Sequence, residues 1–238
     1  NMGELDLAIQ QDLYATRLRP QDATVYYSLG STYDDKGMYE KAISHYERAI
    51  ELDPDYLSPY VGLGLAYDKM GRHDAAIAQY RKALQLDPND AMAHYNLGLA
   101  YGHKKMDDLA ISEYKKAIEI DPQYVKAHYN LAECYKRKKM YDAAICEFEK
   151  AIEKDPTYQK AYYKLGRLYC DLDRLQEAED TARKALEINR EFINAYLLLG
   201  YIYYYKQDEA GKAIVEYEKV LEIDPTIQTI IAAANAFN

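Results

Sequence analysis

Four cations in this sequence, Lys126, Lys160, Lys164 and Arg167, are of the type that holds carboxylates, and two asparagines, Asn96 and Asn130, are of the type that orients them. An ammonium or guanidinium group beside an amide suits an acidic side chain or a free C-terminus. Tyr95, Tyr129 and Tyr163 stand 34 residues apart in succession. Such a ladder of phenols can hold an extended or helical peptide through apolar contact and O–H hydrogen bonds. This is the chemistry of recognition, not of bond making.

The inventory for covalent chemistry is thin. The sequence contains no GxGxxG, GxxxxGK[ST], HExxH or GxSxG, so no nucleotide, metal or acyl-transfer site is expected. His94 and His128 are also 34 apart and could in principle share a metal ion, but their position suits a large packing residue. No metal and no cofactor is expected. The cysteines Cys134, Cys146 and Cys170 are odd in number, lack CxxC spacing and have no base placed by spacing. Neither a disulfide framework nor a zinc site nor a thiol nucleophile follows, and the chain is not expected to be an enzyme.

Residues so far apart in sequence act together only if the chain repeats itself in space. Leucine recurs at Leu29, Leu63, Leu97, Leu131, Leu165 and Leu199, each followed by a small residue, Gly30, Gly64, Gly98, Ala132, Gly166 and Gly200. Tyrosine keeps the same step of 34 at Tyr33, Tyr67, Tyr101, Tyr135, Tyr169 and Tyr203. Ala42, Ala76, Ala110, Ala144 and Ala178 follow it, Ala213 arrives one residue late, and Pro54, Pro88, Pro122, Pro156 and Pro225 close most copies. Each copy carries two stretches with apolar residues at helical steps, such as Tyr26, Leu29, Gly30, Tyr33 and then Ala42, Ile43, Tyr46, Ala49, Ile50. Each therefore reads as a helical hairpin. Gly30 and Ala42 allow a close approach that Tyr33 and Tyr46 fill, Gly37 and Gly71 suit the left-handed end of a helix, and the Asp-Pro pairs stop the second helix. One hairpin cannot bury its own apolar faces, so the copies must stack on a shared core.

The pattern L-G-x2-Y, then A-x3-aromatic, then A, then P in a unit of 34 residues resembles the tetratricopeptide repeat. The resemblance implies an all-α solenoid of stacked antiparallel helix hairpins in a right-handed superhelix. It divides the chain into residues 1–22, the second helix of a truncated repeat, and full repeats over 23–56, 57–90, 91–124, 125–158, 159–192 and 193–227, the last with a one-residue insertion. Residues 228–238 are expected to form the first helix of a further repeat or a capping helix. In this family the first helices line a concave groove through unit positions 2, 5, 6, 9, 12 and 13, which here include Tyr95, Asn96, Lys126, Tyr129, Asn130, Lys160, Tyr163, Lys164 and Arg167. The carboxylate clamp of chaperone-binding members is matched only in part, because no unit has Lys at position 5 with Asn at position 9. A looser anion site is implied.

Composition narrows the partners. The chain has 238 residues and a formal charge of −9, so its surface on average repels nucleic acid and anionic lipid. No run approaches the roughly 18 apolar residues of a membrane span, and the start has no basic and apolar leader pattern. A cytoplasmic location is expected, with no nucleic-acid partner and no membrane insertion. A start in the middle of a repeat and an apolar last segment, Ile227 to Ala234, lead to the expectation of a chain cut from a longer protein or of self-association through its terminal helices. The fifth repeat departs most, with Ala182 in place of an aromatic residue and Arg190 in place of proline. The function expected is a protein-interaction scaffold that binds a peptide or partner, acidic or bearing a carboxylate, near the third to fifth repeats. The alternative is the substrate-recruiting repeat region of a larger enzyme such as a glycosyltransferase.

Overall fold

The structure, a computed structural model, describes residues 2–206 and 209–227. The chain divides into two compact bodies, residues 1–123 and 124–238. The first holds α1 (Met2–Leu18), α2 (Ala23–Asp35), α3 (Tyr39–Leu52), α4 (Leu57–Lys69), α5 (His73–Leu86), α6 (Ala91–His103) and α7 (Asp107–Ile120). The second holds α8 (Val125–Arg137), α9 (Tyr141–Lys154), α10 (Gln159–Asp171), α11 (Leu175–Ile188), α12 (Ile193–Tyr205) and α13 (Ala210–Ile223), then a short 3-10 turn at Pro225–Ile227. Each body is an all-α stack of antiparallel hairpins, α2–α3, α4–α5 and α6–α7 in one, α8–α9, α10–α11 and α12–α13 in the other. The helix expected over residues 228–238 lies outside the described residues, as do residues 207 and 208 of the insertion.

Within the first body α2 touches α4 and α4 touches α6, and within the second α10 touches α12. Successive second helices make no comparable contact among the described residues. The first helix of each hairpin therefore lies on the tighter side of its stack, where side chains from neighbouring hairpins face a shared space.

The hairpin turns share one backbone solution. Gly37 and Gly71 have φ of 75° and 74°, and in the next three turns Lys105, Lys139 and Asp173 take φ of 58°, 60° and 58°. The left-handed residue lets the following N–H reach back, as Met38 donates to the Tyr33 carbonyl at 2.8 Å and Met140 to Tyr135 at 2.9 Å. A side chain in this region costs about 1–2 kcal/mol, and glycine gives back about 0.5–1 kcal/mol in entropy. Lys105→Gly, Lys139→Gly and Asp173→Gly are each expected to raise stability by about 0.5 kcal/mol, and urea unfolding of the triple variant checks the sum. A lower midpoint would contradict it.

Proline does not by itself end the second helices. Each ends in an extended Asp or Asn whose side chain accepts from the N–H two residues on. Asp53 accepts from Asp55 at 3.1 Å, Asp87 from Asn89 at 2.8 Å and Asp155 from Thr157 at 2.9 Å. Asn189 does the same for Glu191 at 2.9 Å, and α11 stops at Ile188 although Arg190 stands where proline stands elsewhere.

The core is built on small residues facing rings. Ala42, Ala76, Ala110, Ala144 and Ala178 are fully buried, and Tyr46, Tyr80, Tyr114 and Phe148 are almost so. A methyl group built on Gly64 would lie 2.5 Å from the Tyr80 ring, so only glycine admits that ring at its observed place. The α10–α11 hairpin has Ala182 in place of the ring, and Leu198 from α12 crosses into the space and contacts Gly166 instead. The departure in the fifth repeat is thus filled from the sixth.

Candidate functional site

The clearest concavity built on first helices lies in the second body. It measures about 410 Å³ and is lined by Tyr129 of α8, Gln159, Lys160, Tyr163 and Lys164 of α10, Phe192, and Asn194 of α12. Four of the residues singled out from sequence, Tyr129, Lys160, Tyr163 and Lys164, share this space. Gln159, Phe192 and Asn194 were not anticipated. Phe192 had a signal, since the same repeat position is aromatic at Tyr56, Tyr124, Tyr158 and Phe192. Where that position is Asp instead, it caps the next helix, Asp22 accepting from the Thr24 N–H and Asp90 from the Ala93 N–H.

Charge in the site is less one-sided than the sequence implies. Lys164 forms an ion pair with Glu133 at 3.0 Å, and Lys136 one with Asp171 at 2.8 Å. The Arg167 guanidinium lies over the Tyr201 ring at 5.4 Å. Lys126 and Lys160 are exposed, and among the described residues neither has an ion-pair partner. Of the two cations lining the concavity, Lys160 is thus the one without an ion-pair partner among the described residues.

The tyrosine ladder divides in the same way. Tyr129 packs edge-on against Phe148 at 5.7 Å and Tyr158 at 5.4 Å. Burial, with the nearby charge of Glu133, pushes its phenol up to about 12, so it stays protonated as a donor. Tyr95, in the first body, packs against Tyr114 at 5.9 Å, and its neighbour Asn96 is buried in α6. Tyr163 makes no such ring contact among the described residues and is only half-buried. Asn130, on α8, is also half-buried.

His94 and His128 hold helices together. Nδ1 of His94 bonds to Glu113 Oε2 at 2.6 Å, and its Nε2 to the Pro88 carbonyl at 3.0 Å. Nδ1 of His128 bonds to Glu147 Oε2 at 2.6 Å, while Lys150 reaches Glu147 Oε1 at 2.8 Å. Burial alone would raise the Glu147 carboxyl, but the hydrogen bonds from His128 and Lys150 outweigh it and hold the group below the usual carboxylate range. The cysteines are free thiols, and burial pushes Cys170 up to about 11, which makes it a poor nucleophile at neutral pH.

Among the described residues no helix is long and apolar enough to cross a membrane. No curated protein matches the chain at the sequence level. Among solved structures, MamA protein is 31% identical, over 69% of this chain and 90% of that one, with a TM-score of 0.63. YrrB, described as a TPR protein with an unusual peptide-binding site, is 24% identical over 79% of this chain and 97% of its own, with a TM-score of 0.62. PilF of Pseudomonas aeruginosa is 19% identical over 85% and 92%, with a TM-score of 0.71. The likeness to the last two is one of fold. Family models described as TPR repeat match residues 69–105 and 107–139, and models described as tetratricopeptide repeat match 23–56, 45–78, 125–158, 147–180 and 193–227. With these matches spread along a chain made of stacked helix hairpins, and with MamA as a relative, this protein belongs to the tetratricopeptide repeat family.

Proposed function

We propose that this chain is a protein-interaction scaffold that holds an acidic peptide segment or a C-terminal carboxylate in the concavity of its second body. The observation that carries the reading is Lys160 beside Tyr163, an exposed cation and an open phenol among the amides of Gln159 and Asn194. A peptide carboxylate would take a charge-assisted bond from Lys160 while its apolar neighbours lie on Tyr163 and Phe192. Lys126 and Arg167 extend the basic surface along the same first helices and Asn130 adds an amide, while Tyr95 and the buried Asn96 hold the corresponding repeat positions in the first body and stand outside this concavity. YrrB, on the same fold, is described as having a peptide-binding site, which supports a peptide as the class of ligand.

The test avoids Lys164→Glu, which would set two carboxylates against each other at Glu133 and disturb the stack itself. Fluorescein-labelled decapeptides, acidic or neutral, each with a free or amidated C-terminus, are titrated by anisotropy against wild type and Lys160→Glu. Acidic peptides should bind more tightly, and the substitution should weaken them about tenfold, with a shallower salt dependence. Equal affinities for the two proteins, at equal helicity, would remove Lys160 and this concavity from the reading.

A further inference from the structure

Three ligating side chains converge in the first body that no spacing in the sequence brings together. Asp68 lies near the end of α4, His73 opens α5 and His103 closes α6. Nδ1 of His73 is 2.6 Å from Asp68 Oδ1, and Nδ1 of His103 is 3.2 Å from Asp68 Oδ2. The two imidazole rings are 4.8 Å apart between centroids, and the donor atoms of all three residues fall within 4.8 Å of one another. We infer that Asp68, His73 and His103 form a three-ligand site for a divalent transition-metal ion of the zinc type.

Donor geometry supports the assignment. Two ligand atoms bonded to a tetrahedral zinc ion at about 2.0–2.1 Å stand roughly 3.3 Å apart. Asp68 Oδ1, the oxygen that also meets His73, already has that separation from His103 Nδ1, at 3.3 Å. His73 must draw back from its 2.6 Å contact by about 0.7 Å to reach it, a small rotation for a partly exposed ring at the first residue of a helix. Two imidazoles with one carboxylate favour a borderline transition ion over Ca²⁺ or Mg²⁺, which prefer an all-oxygen shell.

The local charge is also suitable. The ammonium groups next in sequence, Lys69 and Lys104, are drawn into ion pairs with Asp34 and Asp74. The Asp68 carboxylate is mostly covered, at 12% exposure, while the His103 side chain is 49% exposed. An ion can therefore enter from solvent and retain open positions for water or for a donor on a partner. Because the ligands come from three consecutive helices, the ion would tie the α4–α5 hairpin to α6 and stabilise the stack by mass action.

The measurement is a titration of the tag-free chain with Zn²⁺ in competition with a chromophoric chelator. It is run in a Cys146→Ser background because that thiol is exposed. One equivalent should bind at micromolar affinity and raise the melting temperature, and Co²⁺ should give the visible absorption of a low-symmetry nitrogen and oxygen site. His73→Ala/His103→Ala should lower the affinity by about 100-fold or more and abolish the thermal shift. Asp68→Asn, which keeps the side-chain shape, should weaken binding on its own. Circular dichroism in chelator shows whether the variants keep their helices. If no saturable binding tighter than millimolar occurs, or if the double variant binds as well as wild type, the three residues form a hydrogen-bonded cluster only and the proposal is overturned.

Discussion

Ala182→Tyr, the substitution that makes the fifth repeat look like its neighbours, is expected to destabilise the chain by about 2–3 kcal/mol. In the other hairpins a ring occupies the gap beside the small residue of the first helix, as Tyr80 does beside Gly64. In α10–α11 that gap is already filled, because Leu198 reaches back from α12 to Gly166 and is itself buried at 2% exposure. A new ring at position 182 would have to displace it. Leu198→Ala alone should cost about 2–4 kcal/mol through the cavity it leaves. Together the two changes exchange leucine for tyrosine in one space, so the double variant should lie well above the sum of the singles, with a favourable coupling of about 2 kcal/mol. Denaturant unfolding of the four proteins closes the cycle. Additive losses would mean that Leu198 and the missing ring do not compete for the same volume.

Glu179→Ala is expected to cost about 2–3 kcal/mol at neutral pH and to flatten the acid limb of the stability curve. Glu179 stands where the other repeats carry isoleucine, at Ile43, Ile77, Ile111 and Ile145. Its carboxylate accepts from Tyr203 at 2.7 Å, from Arg183 at 2.9 Å and from Lys206 at 2.8 Å, and its side chain is 13% exposed. Burial alone would raise its pKa, yet the bonds from Lys206, Tyr203 and Arg183 lower it from 4.5 to about 2. A depressed carboxylate contributes its full stabilisation above the unfolded value of 4.5 and loses it as the pH falls through about 2. Wild type should thus lose stability between those limits more steeply than Glu179→Ala. Parallel acid limbs, followed by helicity from pH 6 to pH 2, would show that the network does not clamp α11 to α12.

The two expectations show how far the repeat pattern could be read. Hairpins, their turns and their buried faces were legible because each depends on local chemistry. Glycine at Gly37 and Gly71, alanine at Ala42 and Ala76, and apolar residues at helical steps impose the same geometry wherever they recur. What compensates the departures in the fifth repeat is not visible in the pattern, because the pattern describes each repeat separately. Arg190 removes a proline, but Asn189 supplies the turn, and Ala182 removes a ring, but Leu198 enters from the next repeat. The proposed binding residues were legible as types, lysine, tyrosine and asparagine at first-helix positions, while their individual states were not.

The sequence by itself determined the repeat and its helical hairpins, because periodic burial and turn chemistry act over a few residues, while the family resemblance put the proposed binding residues on the first helices. Tertiary structure decided which of those residues are available. It paired Lys164 with Glu133, packed Tyr129 against Tyr158, left Lys160 and Tyr163 open, and gathered Asp68, His73 and His103 from three helices. Such choices turn on a few ångströms between side chains on different helices, and hydrogen bonds, ion pairs and metal coordination are all won or lost within that range.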